Sequence, residues 1–190
     1  MLFTAKIVSV LFNPLIISPF TFLFLILYNN SEDKYMLFII CLVFTTIVPG
    51  VVIALFKNSG RISAYEAPIR SERLPLLAIA SISNGIGFMI LYYLNSPPIV
   101  KGLMFCYAVN TGITWGITKY WKISIHMIGL GGPLVAIYIT GFYDIALFSI
   151  IIILVYISRF ILKAHTHNQL IAGITLAIFL AYLELTYLFL

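Results

Sequence analysis

Seven apolar runs fill the 190-residue chain almost end to end, near 7–28, 35–56, 75–94, 98–118, 124–141, 144–161 and 169–189. Each is close to the ~20 residues that a helix needs to cross the hydrocarbon core of a bilayer. The breaks are short and polar: NNSEDK (29–34), the longer stretch 57–74, NSPP (95–98), KYWK (119–122), GFYD (141–144) and KAHTHN (163–168). Backbone polar groups find no partner in lipid, so runs of this kind fold as helices. The predicted fold class is an all-α, polytopic transmembrane bundle of six to seven spans forming one integral membrane domain. Pro14 and Pro19 predict a bend or a partly re-entrant path in the first run, which is why the count has a range. That run also lacks a small-residue cleavage site, so it reads as a span and not as a cleaved leader.

Composition excludes the alternatives. The chain is 62% hydrophobic and 9% charged, against roughly 45–50% and about 25% for soluble domains. It is too apolar for a disordered chain. Cys41 and Cys106 both sit inside apolar runs and read as packing residues. The formal charge of +5 is unevenly placed. With seven crossings, the face holding the N-terminus carries nine basic against two acidic residues, and the opposite face is net −2. The positive-inside rule makes the basic face cytoplasmic. No basic run with interleaved aromatics suggests nucleic-acid binding.

His126, His165 and His167 also fall on the basic face. Three helices begin there, and helix N-termini carry unpaired N–H groups and partial positive charge. Arg70 and Arg73 sit just before one of them, and Arg159 ends another helix on the same side. Guanidinium groups bind phosphate oxygens bidentately. The pattern predicts an anion site at this face.

Two strings carry the sharper signal. One is SRFILKAHTHNQ (158–169), which places Arg159 six residues before His165 and Gln169 four residues after it. The other is KISIHMIGLGG (122–132), with Ser124 and His126. The first resembles the third signature, SRxxxxxHxxxD, of the type 2 phosphatidic acid phosphatase superfamily. The second is similar to its SGH signature, with Ile125 in place of glycine. A looser counterpart of the first signature, KxxxxxxRP, is RSERLP (70–75), where Glu66 takes the position of the lysine. The resemblance covers about residues 57–185.

The resemblance implies a metal-independent lipid phosphatase of a bacterial inner membrane, acting on a lipid phosphate or pyrophosphate without a cofactor. It assigns His165 as nucleophile, forming a phosphohistidine, and His126 as general acid. Arg159 and Arg73 would clamp phosphate, assisted by Ser124 and by Ser158 of the signature, with Arg70 supplying the cation missing at Glu66. Gln169 replaces the aspartate that orients the nucleophilic imidazole. That replacement opens an alternative: a weak or inactive phosphatase-like protein that binds phosphate headgroups. A transporter reading is disfavoured, because no two spans show matching interruptions in two halves. Magnesium-dependent lipid transferases need aspartate-rich motifs, and only Asp33 and Asp144 exist.

Other residues read as packing. Asn84 and Asn110 suit interhelical hydrogen bonds, and Gly112 with Gly116, opposite Gly85 and Gly87, suits close helix contact. Gly129, Gly131, Gly132 and Pro133 predict a kink or a close approach. His167 is left outside the site, and Glu184 has no evident partner.

Overall fold

The break at Phe12–Asn13 sets the shape of the N-terminal third. Pro14 has no N–H to continue the ladder, and the Asn13 side chain accepts the Leu15 N–H at 2.9 Å, which starts a new helix. A computed structural model describes residues 1–190. It holds eight helices and no strand: α1 (Leu2–Leu11), α2 (Pro14–Tyr28), α3 (Lys34–Asn58), α4 (Arg70–Tyr93), α5 (Pro98–Thr118), α6 (Ile125–Ile139), α7 (Ile145–Ile161) and α8 (His167–Phe189). The run expected to cross at 7–28 is therefore a pair of helices bent by 46°. Within α3 the ladder widens to a π-turn over Val43–Ile47, just before Pro49, which cannot donate to the carbonyl one turn back.

Three helices, α3, α4 and α8, are long and apolar enough to cross a membrane, or four crossings result if the bent pair counts as one. The sequence expects six to seven spans; by length and composition these three qualify singly. α6 and α7 have only 15 and 17 residues. α5 has 21 residues but carries Lys101, Asn110 and several threonines. Its place explains its composition: it packs between α4, α6 and α8, and Val100, Leu103 and Met104 are wholly buried. The outward faces carry large apolar side chains, among them Leu27, Ile39, Ile82, Ile150 and Phe179. A surface of that kind suits lipid and not water.

Small residues and polar side chains join the helices. A Cβ at Gly131 would stand 2.4 Å from the Cβ of Ala177, with α8 backbone atoms at 3.0 Å. A Cβ at Gly129 would meet Pro14 at 2.5 Å. The α4–α5 contact is different from the expected glycine face. Gly112 lies over the Ser81 hydroxyl, Gly87 takes Phe44 of α3, and Gly85 and Gly116 face open space. Here the seam is polar: Ser81 donates to the Ala108 carbonyl at 2.8 Å and Asn84 to the Tyr107 carbonyl at 3.4 Å. Glu184 is not partnerless, since it accepts from Asn110 Nδ2 at 3.0 Å. Gly131→Ala is expected to lower stability by about 1–3 kcal/mol through overpacking against α8. Gly85→Ala, with room for the methyl, is the control. Thermal unfolding in detergent should show a lower midpoint for the first only.

The polar segments 57–74, 119–124 and 162–168 meet at one end of the bundle. Arg70 donates to the Thr118 carbonyl at 3.1 Å and to that of Lys119. The Ser124 N–H reaches the Gln169 carbonyl at 3.4 Å. Ser158 donates to the Ala5 carbonyl at 2.7 Å, tying α7 to α1. At the far end the Tyr28 hydroxyl donates to the Thr140 carbonyl at 2.6 Å, closing α2 on α6.

Candidate functional site

Arg159 and Arg73 are buried at the basic end, 2% and 3% exposed. Guanidinium groups do not enter an apolar bundle without partners. Arg159, in the last turn of α7, donates from Nη1 to the Ser9 hydroxyl of α1 and shares Glu66 Oε2 between Nη1 (3.2 Å) and Nη2 (3.3 Å). Its Nε is buried without a partner. Arg73, in the first turn of α4, donates from Nε to the Ala67 carbonyl at 2.8 Å and from Nη1 to the Ile123 carbonyl at 3.3 Å. The first contact depends on a tight turn in which Ala67 takes a positive φ of 42°.

Two imidazoles join them. His126 stands in the first turn of α6, whose N-terminus Ser124 caps with its hydroxyl. Its Nε2 lies 3.1 Å from the Ser9 carbonyl, which can only accept, so Nε2 carries the proton. His165 precedes α8. Its Nδ1 lies 3.0 Å from Gln169 Oε1, one turn on. The same oxygen accepts the Thr166 N–H at 3.2 Å as half of a capping box. Gln169 therefore leaves the His165 Nδ1 protonated and Nε2 free.

Arg73, Arg159, His126 and His165 line a single cavity of about 520 Å³, together with Ser9 and Glu66. Burial, and then the neighbouring Arg73 charge, push the His165 imidazole down to about 3. Its ring is neutral at ordinary pH. Lys122 stands close by, its ammonium lowered by burial and by Arg73 and Arg159. Two guanidinium groups against the one carboxylate of Glu66, itself half exposed, leave the cavity positive. Such a cavity attracts an anion.

The arrangement differs from the sequence expectation in three residues. Arg70 caps the carbonyls that end α5 and does not line the cavity. Its long side chain is drawn to unpaired helix-end carbonyls. Ser124 is used as an N-cap, and Ser158 is used in the α1–α7 contact. None of these three is placed to touch a phosphate in the cavity. Gln169 sits behind His165, with its Oε1 on the ring's Nδ1 as the sequence reading expects of an orienting residue. Conversely, Ser9 belongs to the site and was not expected there, and Glu66, expected only as a departure from a signature lysine, pairs with Arg159. Glu66 was visible as one of two acids in a basic segment, whereas Ser9 lies in a plain apolar run with no sequence signal. His167 packs against Phe160 with ring centroids 4.0 Å apart and stands outside the cavity. No three His, Cys, Asp or Glu side chains converge as metal ligands.

Comparison with protein-family models, with curated proteins and with solved structures finds no match for this chain.

Proposed function

We propose that this chain is a membrane phosphatase that hydrolyses a lipid phosphate or pyrophosphate through a phosphohistidine, as a divergent relative of the type 2 phosphatidic acid phosphatases. One observation carries the reading: two imidazoles and two guanidinium groups, drawn from α4, α6, α7 and the turn before α8, line one cavity at the end of an apolar bundle. The expected six to seven crossings and a bacterial inner membrane belong to the same proposal.

The chemistry follows from the placement. Arg159 and Arg73 hold the phosphoryl oxygens. Neutral His165 attacks phosphorus through Nε2, and the bond to the leaving oxygen breaks. His126, as the imidazolium that a bound phosphate anion favours, gives its Nε2 proton to that oxygen, which takes the place of the Ser9 carbonyl as acceptor, and is left as the neutral ring. Water then attacks phosphorus, the bond from phosphorus to His165 Nε2 breaks, neutral His126 takes a proton from the water, and phosphate leaves. The net reaction adds one water and splits one phosphate ester or anhydride bond. Positioning and positive potential supply most of what phosphoryl transfer needs.

A second reading is favoured by one particular contact. Gln169 brings no charge to balance a phosphohistidine cation, which suits a protein that binds phosphate headgroups with little turnover. Glu66, paired with Arg159, competes with phosphate under either reading. The test is phosphate release from phosphatidate and from a polyprenyl diphosphate by purified protein in detergent with a metal chelator present. Multiple turnovers are expected; binding with no release selects the second reading. In the same assay Glu66→Gln is expected to lower KM about two- to fivefold, because a part-exposed ion pair of this kind is worth about 1 kcal/mol or less. A raised KM would mean that Glu66 helps the substrate instead of competing with it.

A further inference from the structure

The cavity does not end at the cationic mouth. It continues between α2, α4, α5 and α6 to Asn84, Tyr107 and Asn110. Asn84 lies eleven residues beyond Arg73 on α4, about 16 Å deeper at the helical rise. Asn84 and Asn110 are 4% and 7% exposed, and Asn84 Oδ1, Asn110 Oδ1 and the Tyr107 hydroxyl have no hydrogen-bond partner.

Asn84 Nδ2 faces the Tyr107 carbonyl, which can only accept, so this amide turns its nitrogen to it and its oxygen away. Asn110 turns its Nδ2 to Glu184 Oε2 at 3.0 Å, which leaves its Oδ1 on the other side. The floor therefore offers two carbonyl oxygens that each lack a donor, beside a phenol that can give or take a proton. A saturated chain pushed down to this level would bury all three groups unpaired, which is strongly unfavourable. A hydroxyl or an amide N–H would satisfy them.

We propose that this floor is a second polar subsite, which takes a hydrogen-bond donor carried on the chain of a phosphorylated amphiphile. The inference rests on the phosphate reading of the mouth and narrows its substrate class. The substrate has a phosphate at one end and a hydroxyl or amide N–H about 16 Å away, and its chain runs inside the bundle.

The test compares dodecyl phosphate with 12-hydroxydodecyl phosphate, with the decyl and tetradecyl pairs as a length series, by calorimetric titration of the purified protein in detergent. The wild type is expected to bind the hydroxylated compound at least about tenfold more tightly, with the preference peaking at one length. Tyr107→Phe keeps the ring and removes one partner. It should shrink the preference to about threefold or less, as should Asn84→Leu, for which a wild-type-like thermal midpoint checks the fold. Equal binding of each pair by the wild type overturns the inference, leaves the phosphate reading standing and means that only water fills the floor. A preference that survives both substitutions also overturns it. If no alkyl phosphate binds more tightly than its alcohol, the phosphate reading itself fails and the inference falls with it.

Discussion

His165→Ala is expected to reduce phosphate release by about 10³-fold or more while leaving the protein folded. Loss of a nucleophile removes the covalent route outright, and residual rates then come from binding and electrostatics alone. The stability cost is small, because the only side-chain hydrogen bond of His165 is to Gln169 in the next turn. Arg159 differs in this respect, since it ties α7 to Ser9 of α1. Two further readouts separate a nucleophile from a packing residue. Wild-type protein quenched in alkali during turnover should contain phosphohistidine, and the alanine variant should contain none. The pH profile should also carry a mark of the ring's environment. Burial and Arg73 hold His165 down to about 3, so its proton is already absent above that pH, and kcat/KM should show no acidic limb from this group between about pH 4 and 7. Linkage gives the matching stability effect. The unfolded chain takes up a proton near pH 6.5 and the folded chain does not, so stability declines as pH falls below about 6.5 and levels off near 3. Turnover within about tenfold of wild type in His165→Ala would overturn the phosphohistidine mechanism.

The bundle was legible where a physical constraint acts locally. Apolar runs near bilayer length must be helical, and each predicted break falls at an observed loop. The interruption at Phe12–Asn13 was only half legible. Pro14 announces a bend, but whether the chain bends or starts a new helix depended on the Asn13 cap. The spacing between Arg159 and His165 was readable, because it is set by the last turn of α7 and the short connection to α8. Spacing does not tell where a long side chain goes. Arg70 and Arg73 are neighbours in sequence, yet one turns to the end of α5 and the other into the cavity. Ser124 and Ser158 have hydroxyls that backbone groups nearby could satisfy, and those local partners took them. Ser9 enters the site through tertiary contacts with Arg159 and His126, and Glu66 through its ion pair with Arg159. Nothing within a few residues of Ser9 encodes that meeting, and for Glu66 only its position in the loose first signature pointed to the site.

Gln169→Glu is expected to raise turnover by about 10²- to 10⁴-fold, the second-largest effect. Glutamate has the length and shape of glutamine, so its carboxylate can take both contacts of the present amide oxygen, the His165 Nδ1–H and the Thr166 N–H. What changes is charge. As His165 becomes a phosphorylated cation, a carboxylate behind it stabilises that cation and a neutral amide does not. In a serine-protease triad the reverse change, carboxylate to amide, costs about 10⁴ in rate, partly through the tautomer. Here Gln169 Oε1 already selects the tautomer that leaves Nε2 free, so the electrostatic part alone is to be gained, which sets the lower bound. A second effect has a fixed sign. A negative charge beside His165 favours its protonated form, so an acidic limb should appear in kcat/KM that the wild type lacks. Gln169→Leu is the opposing control: it removes the acceptor, frees the ring to adopt either tautomer and should lower turnover. A rate that rises with the glutamate, together with the new acidic limb, assigns Gln169 as the positioning residue of His165. An unchanged rate and an unchanged profile in both variants would mean that Gln169 serves only to cap α8.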